Sequence, residues 1–167
     1  GATETYNGTA FTETSDLTTP RRTIAGAGTQ TSSIAFGGNT NPSGGTASAT
    51  TEEWNGTSWS ETADLNTARF GLAGAGTDKE SALAFGGGYP AVRAETEEWN
   101  GTSWSEQADL NTARDYPGGM GTREAALAFG GEGTAHDAET ESWNGTSWTE
   151  VTDLNTARGG ISGAGEY

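Results

Sequence analysis

The sequence predicts an all-β chain of repeated four-stranded antiparallel units, and three recurring motifs carry that prediction. Trp54-Asn-Gly-Thr-Ser-Trp59 returns at Trp99 to Trp104 and at Trp143 to Trp148, with a degenerate copy at Tyr6 to Phe11. The leading aromatics, at positions 6, 54, 99 and 143, therefore stand 48, 45 and 44 residues apart. Asp-Leu-x-Thr-x-Arg keeps the same spacings at Asp16 to Arg21, Asp64 to Arg69, Asp109 to Arg114 and Asp153 to Arg158. Ala-Phe-Gly-Gly occurs at Ala35 to Gly38, Ala84 to Gly87 and Ala128 to Gly131, without a fourth copy. Motifs that hold fixed phase over such a period mark stacked supersecondary units.

Within a unit the elements follow in order. Gly71 to Gly76 is too short and too Gly-rich for a helix and suits a first strand, and Ser81 to Phe85 suits a second that ends at Gly-Gly. A third strand ends at the first Trp and a fourth begins at the second. Asn-Gly tolerates positive φ, so it closes a tight hairpin between them and sets Trp54 opposite Trp59. A cross-strand aromatic pair adds roughly 0.2–1 kcal/mol over Ala–Ala, and its larger role is to fill space between units. Trp54, Trp59, Trp99, Trp104, Trp143 and Trp148 are accordingly expected to be structural. Four strands per unit is the blade of a β-propeller. Blades are expected near residues 22–69, 70–114 and 115–158, with only third and fourth strands in 1–21 and only a first strand in 159–167. That amounts to about 3.75 blades in one propeller, part or whole.

An Arg, a first strand, a second strand ending in Gly-Gly, a variable loop, an aromatic closing the third strand and a later Trp together resemble the kelch repeat. The resemblance covers essentially the whole chain and implies a kelch-like β-propeller. The near-identical Trp-Asn-Gly-Thr-Ser-Trp and Asp-Leu-Asn-Thr-Ala-Arg copies also resemble kelch-like repeats of predicted marine bacteriophage virion or tail proteins, which implies a virion or an extracellular surface. One departure is that the first strands are small: Ala25 to Gly28, Ala73 to Gly76 and Ser162 to Gly165. The innermost strands are therefore expected to pack unusually close to the axis.

Composition narrows the function classes. Hydrophobic residues make up 31% of the chain, but 27 of 167 residues are Gly, so backbone packing is expected to supplement side-chain packing. A formal net charge of -15 repels phosphate, which argues against nucleic acid as a partner. No Cys is present, so disulfides and thiolate metal sites are excluded. No stretch approaches the roughly 18 apolar residues of a membrane span, and no membrane partner is expected. Gly1 opens the chain without Met or a signal-like apolar core, which fits a processed or trimmed product.

Catalytic chemistry is hard to place. His136 is the single histidine, inside the loop Glu132 to Ala138, and reads as a solvated loop residue. Copper-radical oxidases of the kelch architecture need a Cys and two His, and sialidase-type Asp-box strings are absent. The glycines do not form a phosphate loop, and no compact EF-hand-like string appears. The reading is a non-catalytic structural or protein-interaction module, with no cofactor and no metal.

Specificity is expected where the copies differ. Asn39 to Ala49, Gly88 to Ala94 and Glu132 to Ala138 vary in length and composition while the Asn-Gly hairpins are nearly identical. Tyr89, Arg93, His136 and Asp137 are the candidate binding residues there. Arg69, Arg114 and Arg158, with Arg21, are candidates for an anion-holding rim, or else tie the crossings between blades together with Asp64 and its equivalents, by ion pairs or by backbone hydrogen bonds. Glu4, Glu52, Glu97 and Glu141 read as a solvated blade edge. Asn-Gly-Thr at Asn7, Asn55, Asn100 and Asn144 is also a glycosylation sequon, and turn chemistry is the preferred reading. The alternative function is a lectin-like propeller that binds glycan at the variable loops or on the Trp residues. Because 3–15 and 159–165 together lack a second strand, the chain is expected to join others, by self-association or within a longer assembly.

Overall fold

Asn55 and Gly56 show how local chemistry builds a blade. Asn55 Oδ1 accepts the backbone N–H of Thr57 at 2.9 Å and of Ser58 at 3.0 Å. Gly56 takes φ 91°, and the turn sets Trp54 directly opposite Trp59 with ring centroids 5.4 Å apart. The copies at Trp99/Trp104 and Trp143/Trp148 repeat it, at 5.4 and 5.3 Å.

The computed structural model describes residues 1–133 and 135–165, with Thr134, Glu166 and Tyr167 outside the described residues. Every regular element among them is a strand. A two-stranded hairpin, β1 (Glu4–Tyr6) and β2 (Phe11–Glu13), comes first. Three four-stranded antiparallel sheets follow, each in chain order. The first blade is β3 (Ala25–Thr29), β4 (Ser32–Phe36), β5 (Thr51–Trp54) and β6 (Trp59–Glu61). The second is β7 (Ala73–Asp78), β8 (Ser81–Phe85), β9 (Thr96–Trp99) and β10 (Trp104–Glu106). The third is β11 (Gly118–Gly121), β12 (Ala126–Phe129), β13 (Thr140–Trp143) and β14 (Trp148–Glu150). The fold is thus all-β and propeller-like. Residues 159–165, expected as a first strand, carry no assigned strand, although Gly121 N–H donates to Gly165 C=O at 2.9 Å; the rest of the 159–167 expectation falls on Glu166 and Tyr167, outside the described residues.

Apolar cores lie between blades. One joins Ile34 and Phe36 of the first blade to Leu65, Leu72, Ala84, Trp99 and Trp104. The other joins Leu83 and Phe85 of the second to Leu110, Ala128, Trp143 and Trp148. Phe36 meets Trp104 edge-on at 4.9 Å, and Phe85 meets Trp148 in the same way at 4.9 Å. Each fully buried large apolar side chain contributes roughly 1.5–3 kcal/mol. Trp59 is the exception among the six indoles, half-buried against the short N-terminal hairpin.

Small residues in the first strands allow the close approach that was anticipated. A Cβ placed on Gly74 would sit 2.8 Å from Gly26 O and 2.8 Å from Phe36 Cζ, so β7 lies backbone-to-backbone on β3. At the other end of the second strand Gly86 and Gly87 take φ 64° and 90°. Gly87 N–H donates to Arg114 C=O at 2.9 Å, and a Cβ on Gly86 would stand 2.8 Å from that same oxygen. The Gly-Gly pair is therefore the socket for the incoming crossing segment.

The acidic residues correct one expectation. Glu52, Glu97 and Glu141 are fully buried rather than solvated. Their strands are third in order, hydrogen-bonded on both sides, so they are not blade edges. Each carboxylate instead receives the neighbouring blade's arginine: Arg21 at 2.9 Å from Glu52, Arg69 at 3.3 Å from Glu97, and Arg114 in contact with Glu141. Asp64 and Arg69 form no ion pair with each other; the crossing is tied by the other expected means, hydrogen bonds to backbone, with Asp64 Oδ1 accepting the Thr51 N–H at 3.2 Å and the Arg69 N–H donating to Ser48 C=O at 3.2 Å.

Candidate binding face at the variable loops

The variable loops hang on a frame that is identical from blade to blade. Ser48, Arg93 and Asp137 donate their backbone N–H groups to Gly38, Gly87 and Gly131, at 2.8, 2.8 and 2.9 Å. Their carbonyls accept from Arg69, Arg114 and Arg158 at 3.2, 3.0 and 2.9 Å. Antiparallel bridges Arg22–Asn39–Ala47, Phe70–Gly88–Val92 and Asp115–Glu132–His136 then fix each loop to the residue that follows the copied arginine. Backbone bonding is satisfied by the frame, which leaves the side chains free to differ.

Between the first and second loops lies an open cavity of about 420 Å³, lined by Arg22, Thr23, Asn39, Gly44, Gly45, Phe70 and Tyr116. Asn39 organises its loop, accepting from the N–H of Asn41 (2.9 Å) and Thr46 (3.1 Å) and donating to Gly44 C=O at 2.9 Å. The Tyr89 ring lies 5.4 Å from Phe70 and so close over Gly45 that a Cβ there would collide with it. Tyr89 is 43% exposed at φ 111°, an uncommon conformation for a residue with a side chain. Three aromatic rings, Phe70 and Tyr89 from the second blade and Tyr116 from the third, thus stand at one mouth.

Charge is unevenly spread around that mouth. Arg22 carries the positive side. Burial, then the neighbouring Glu132, raises the Asp115 carboxyl above its ordinary range. Burial also raises the Tyr116 phenol, with Asp115 and Glu132 adding to the rise and Arg22 opposing it. Apolar ring faces and a cation around an open cavity of this size, with the Asp115 and Glu132 charges acting on Tyr116, suit a ligand that offers both a flat apolar surface and polar groups, such as an extended peptide or a sugar.

Only part of the expected set gathers here. Tyr89 belongs to the mouth. Arg93 is held by Glu95 at 2.6 Å, and His136 stands largely exposed with Nε2 3.4 Å from Glu132 on the third blade's loop. Asp137 is half-buried and contributes chiefly backbone. Arg69 and Arg114 are fully buried in the blade joints, so their guanidinium groups are closed to an outside anion; Arg158 is exposed. Arg22, Phe70 and Tyr116 were missed. Their signal was present in the sequence: in the two positions after the copied Arg, otherwise matching units place Arg22-Thr23, Phe70-Gly71, Asp115-Tyr116 and Gly159-Gly160. Compared with family models and with curated proteins, the chain matches neither.

Proposed function

We propose that the chain is a non-catalytic, kelch-like propeller module that binds a protein partner at its variable-loop face. The observation that supports this is the division of labour among the repeats. Copied residues such as Arg21, Arg69 and Arg114 with Glu52, Glu97 and Glu141 are consumed in the joints between blades, whereas residues that differ gather around the mouth formed by Arg22, Phe70, Tyr89 and Tyr116. A virion or outer-surface setting belongs to the same reading and rests on the resemblance of the repeats alone.

Glycan binding is the second reading, carried by the aromatic shelf of Phe70 and Tyr89. Five of the six indoles are buried, which weighs against a Trp platform and leaves the loops as the place for a sugar. Labelled chain applied to a peptide array and a glycan array distinguishes the readings. Peptide signals that disappear in Tyr89→Ser and Phe70→Ser variants support the first, and glycan signals lost in the same variants support the second. Binding on neither array, or binding indifferent to both substitutions, removes this face as the site.

A further inference from the structure

Blade joints in this chain follow one template. Between the first and second blades Arg69 meets Glu97, and Asn66 donates to the same carboxylate from N at 2.7 Å and Nδ2 at 3.0 Å. Trp104 Nε1 donates to Thr51 Oγ1 at 3.1 Å while its ring lies on Phe36. Between the second and third blades Arg114 and Asn111 hold Glu141, Trp148 donates to Thr96 Oγ1 at 2.9 Å, and its ring lies on Phe85. The N-terminal hairpin meets the first blade with Arg21 and Thr18 on Glu52 and with Trp59 Nε1 on Thr3 Oγ1 at 3.1 Å. Every joint sets Arg, Thr and a residue donating to the carboxylate on the outgoing side against Glu and Trp on the incoming side.

Two half-joints remain. On the outgoing face of the third blade the equivalent residues are Arg158, Asn155, Thr140 and Phe129. Arg158 and Asn155 are exposed, and Arg158 makes no ion pair among the described residues. Thr140 is buried, and its Oγ1, where Thr51 and Thr96 each receive an indole N–H, has no hydrogen-bond partner among the described residues. On the incoming face of the hairpin, Glu4 stands where Glu52, Glu97 and Glu141 stand and Phe11 where Trp59, Trp104 and Trp148 stand. Glu4 is exposed, and Phe11 is 67% exposed, the most of any large apolar side chain described. One face offers a cation and a ring, Phe129, that is half-buried where Phe36 and Phe85 are fully buried; the other offers a carboxylate and an aromatic knob.

Among the described residues these faces do not meet. A Cβ on Gly74, Gly119 or Gly163 would lie 2.8, 2.9 or 2.5 Å from the carbonyl oxygen of Gly26, Gly74 or Gly119, so each inner segment is seated on the one before it. A Cβ on Gly26 would meet only Ile34 and Ala35 of its own sheet within 4 Å. The inner segments therefore form an arc whose first and last members are not seated on each other.

We propose that the β1–β2 hairpin of one copy docks on the third blade of a second copy. Glu4 enters between Arg158 and Asn155 and Phe11 covers Phe129, in the manner of Glu97 and Trp104. The contact is heterologous, so repetition builds a ring or a filament of copies, head to tail. Because it uses neither Tyr89 nor Phe70, it stands independently of the partner-binding reading above.

Light scattering at 0.15 M salt reads the result as mass. The expected value is a multiple of 17.1 kDa for the wild type, falling to 17.1 kDa in Glu4→Arg and in Arg158→Glu. Mixing those two variants in equal amounts is expected to restore the larger mass, because each hairpin then faces an opposite charge on the other variant. Phe11→Trp supplies the indole N–H that Thr140 lacks and is expected to tighten association roughly five- to tenfold. Circular dichroism verifies that the variants fold, and Phe11→Ser carries the same test if either charge reversal does not. A wild type of 17.1 kDa at all concentrations, as when further blades or another protein are the true occupant, overturns the proposal. So does a large mass indifferent to both reversals, or a mixture that stays dissociated.

Discussion

Arg69 Nη2 stands 3.3 Å from Glu97 Oε1 across the joint between successive blades, with both side chains fully buried. Burial lowers the Arg69 pKa, and Glu97 only partly opposes that effect. Two further guanidinium nitrogens of Arg69, Nε and Nη1, have no hydrogen-bond partner among the described residues. The carboxylate is better served, accepting also from Asn66 and Thr67. The pair is thus costly to bury and acts to fix which strand of one blade faces which crossing of the next.

That asymmetry orders two substitutions. Glu97→Ala leaves a buried cation and several donors unpaired and is expected to lower stability by about 3–5 kcal/mol. Arg69→Met removes the poorly satisfied group and leaves Glu97 with its other donors, so a loss of roughly 1–3 kcal/mol is expected. Urea denaturation followed by Trp fluorescence measures both; equal losses, or the reverse order, contradict the account.

Trp104 tests the joint through a neutral bond. Trp104→Phe keeps a ring on Phe36 but leaves Thr51 Oγ1 without its donor, at an expected cost of about 1–3 kcal/mol. Trp104→Ala also opens a cavity and is expected to cost about 3–5 kcal/mol. Trp59→Ala, at the half-buried position, is expected to cost clearly less than Trp104→Ala. Comparable losses at Trp59 and Trp104 would show that the second-strand Phe does not contribute the packing assigned to it.

Gly74 probes the spacing of the inner strands. An added methyl would lie 2.8 Å from Gly26 O, a backbone atom that cannot swing aside. Gly74→Ala is therefore expected to destabilise by about 1–3 kcal/mol and to speed amide exchange in β3 and β7. A neutral Gly74→Ala would mean that the inner strands tolerate wider separation.

Asp115 supplies a pH dependence. Its carboxyl is raised above the ordinary 3.8 by burial and by Glu132, so the folded chain binds this proton more readily than the unfolded one. The contribution is then lost as pH rises from about 4 through the raised folded value. Asp115→Asn, which does not ionise, is expected to be more stable than wild type at pH 7, with the gap closing below about pH 4. Denaturation midpoints at the two pH values measure the gap; one that widens on acidification contradicts the assignment.

Much of this molecule is local and so was readable in the chain. Asn-Gly turns, the Trp pairs across them, the strand boundaries at Phe-Gly-Gly and the small first strands depend on residues within about a dozen positions of each other, where turn geometry and strand alternation decide the outcome. The phase of the motifs extended that to three four-stranded sheets. Tertiary structure alone decided what the copied charges do. Glu97 lies 28 residues from Arg69, and nothing in the spacing reveals that the third strand of one blade faces the crossing that precedes it, so a carboxylate expected in solvent is buried. Likewise the mouth formed by Arg22, Phe70, Tyr89 and Tyr116 draws on three blades, and only the packing of one sheet on the next brings those side chains together.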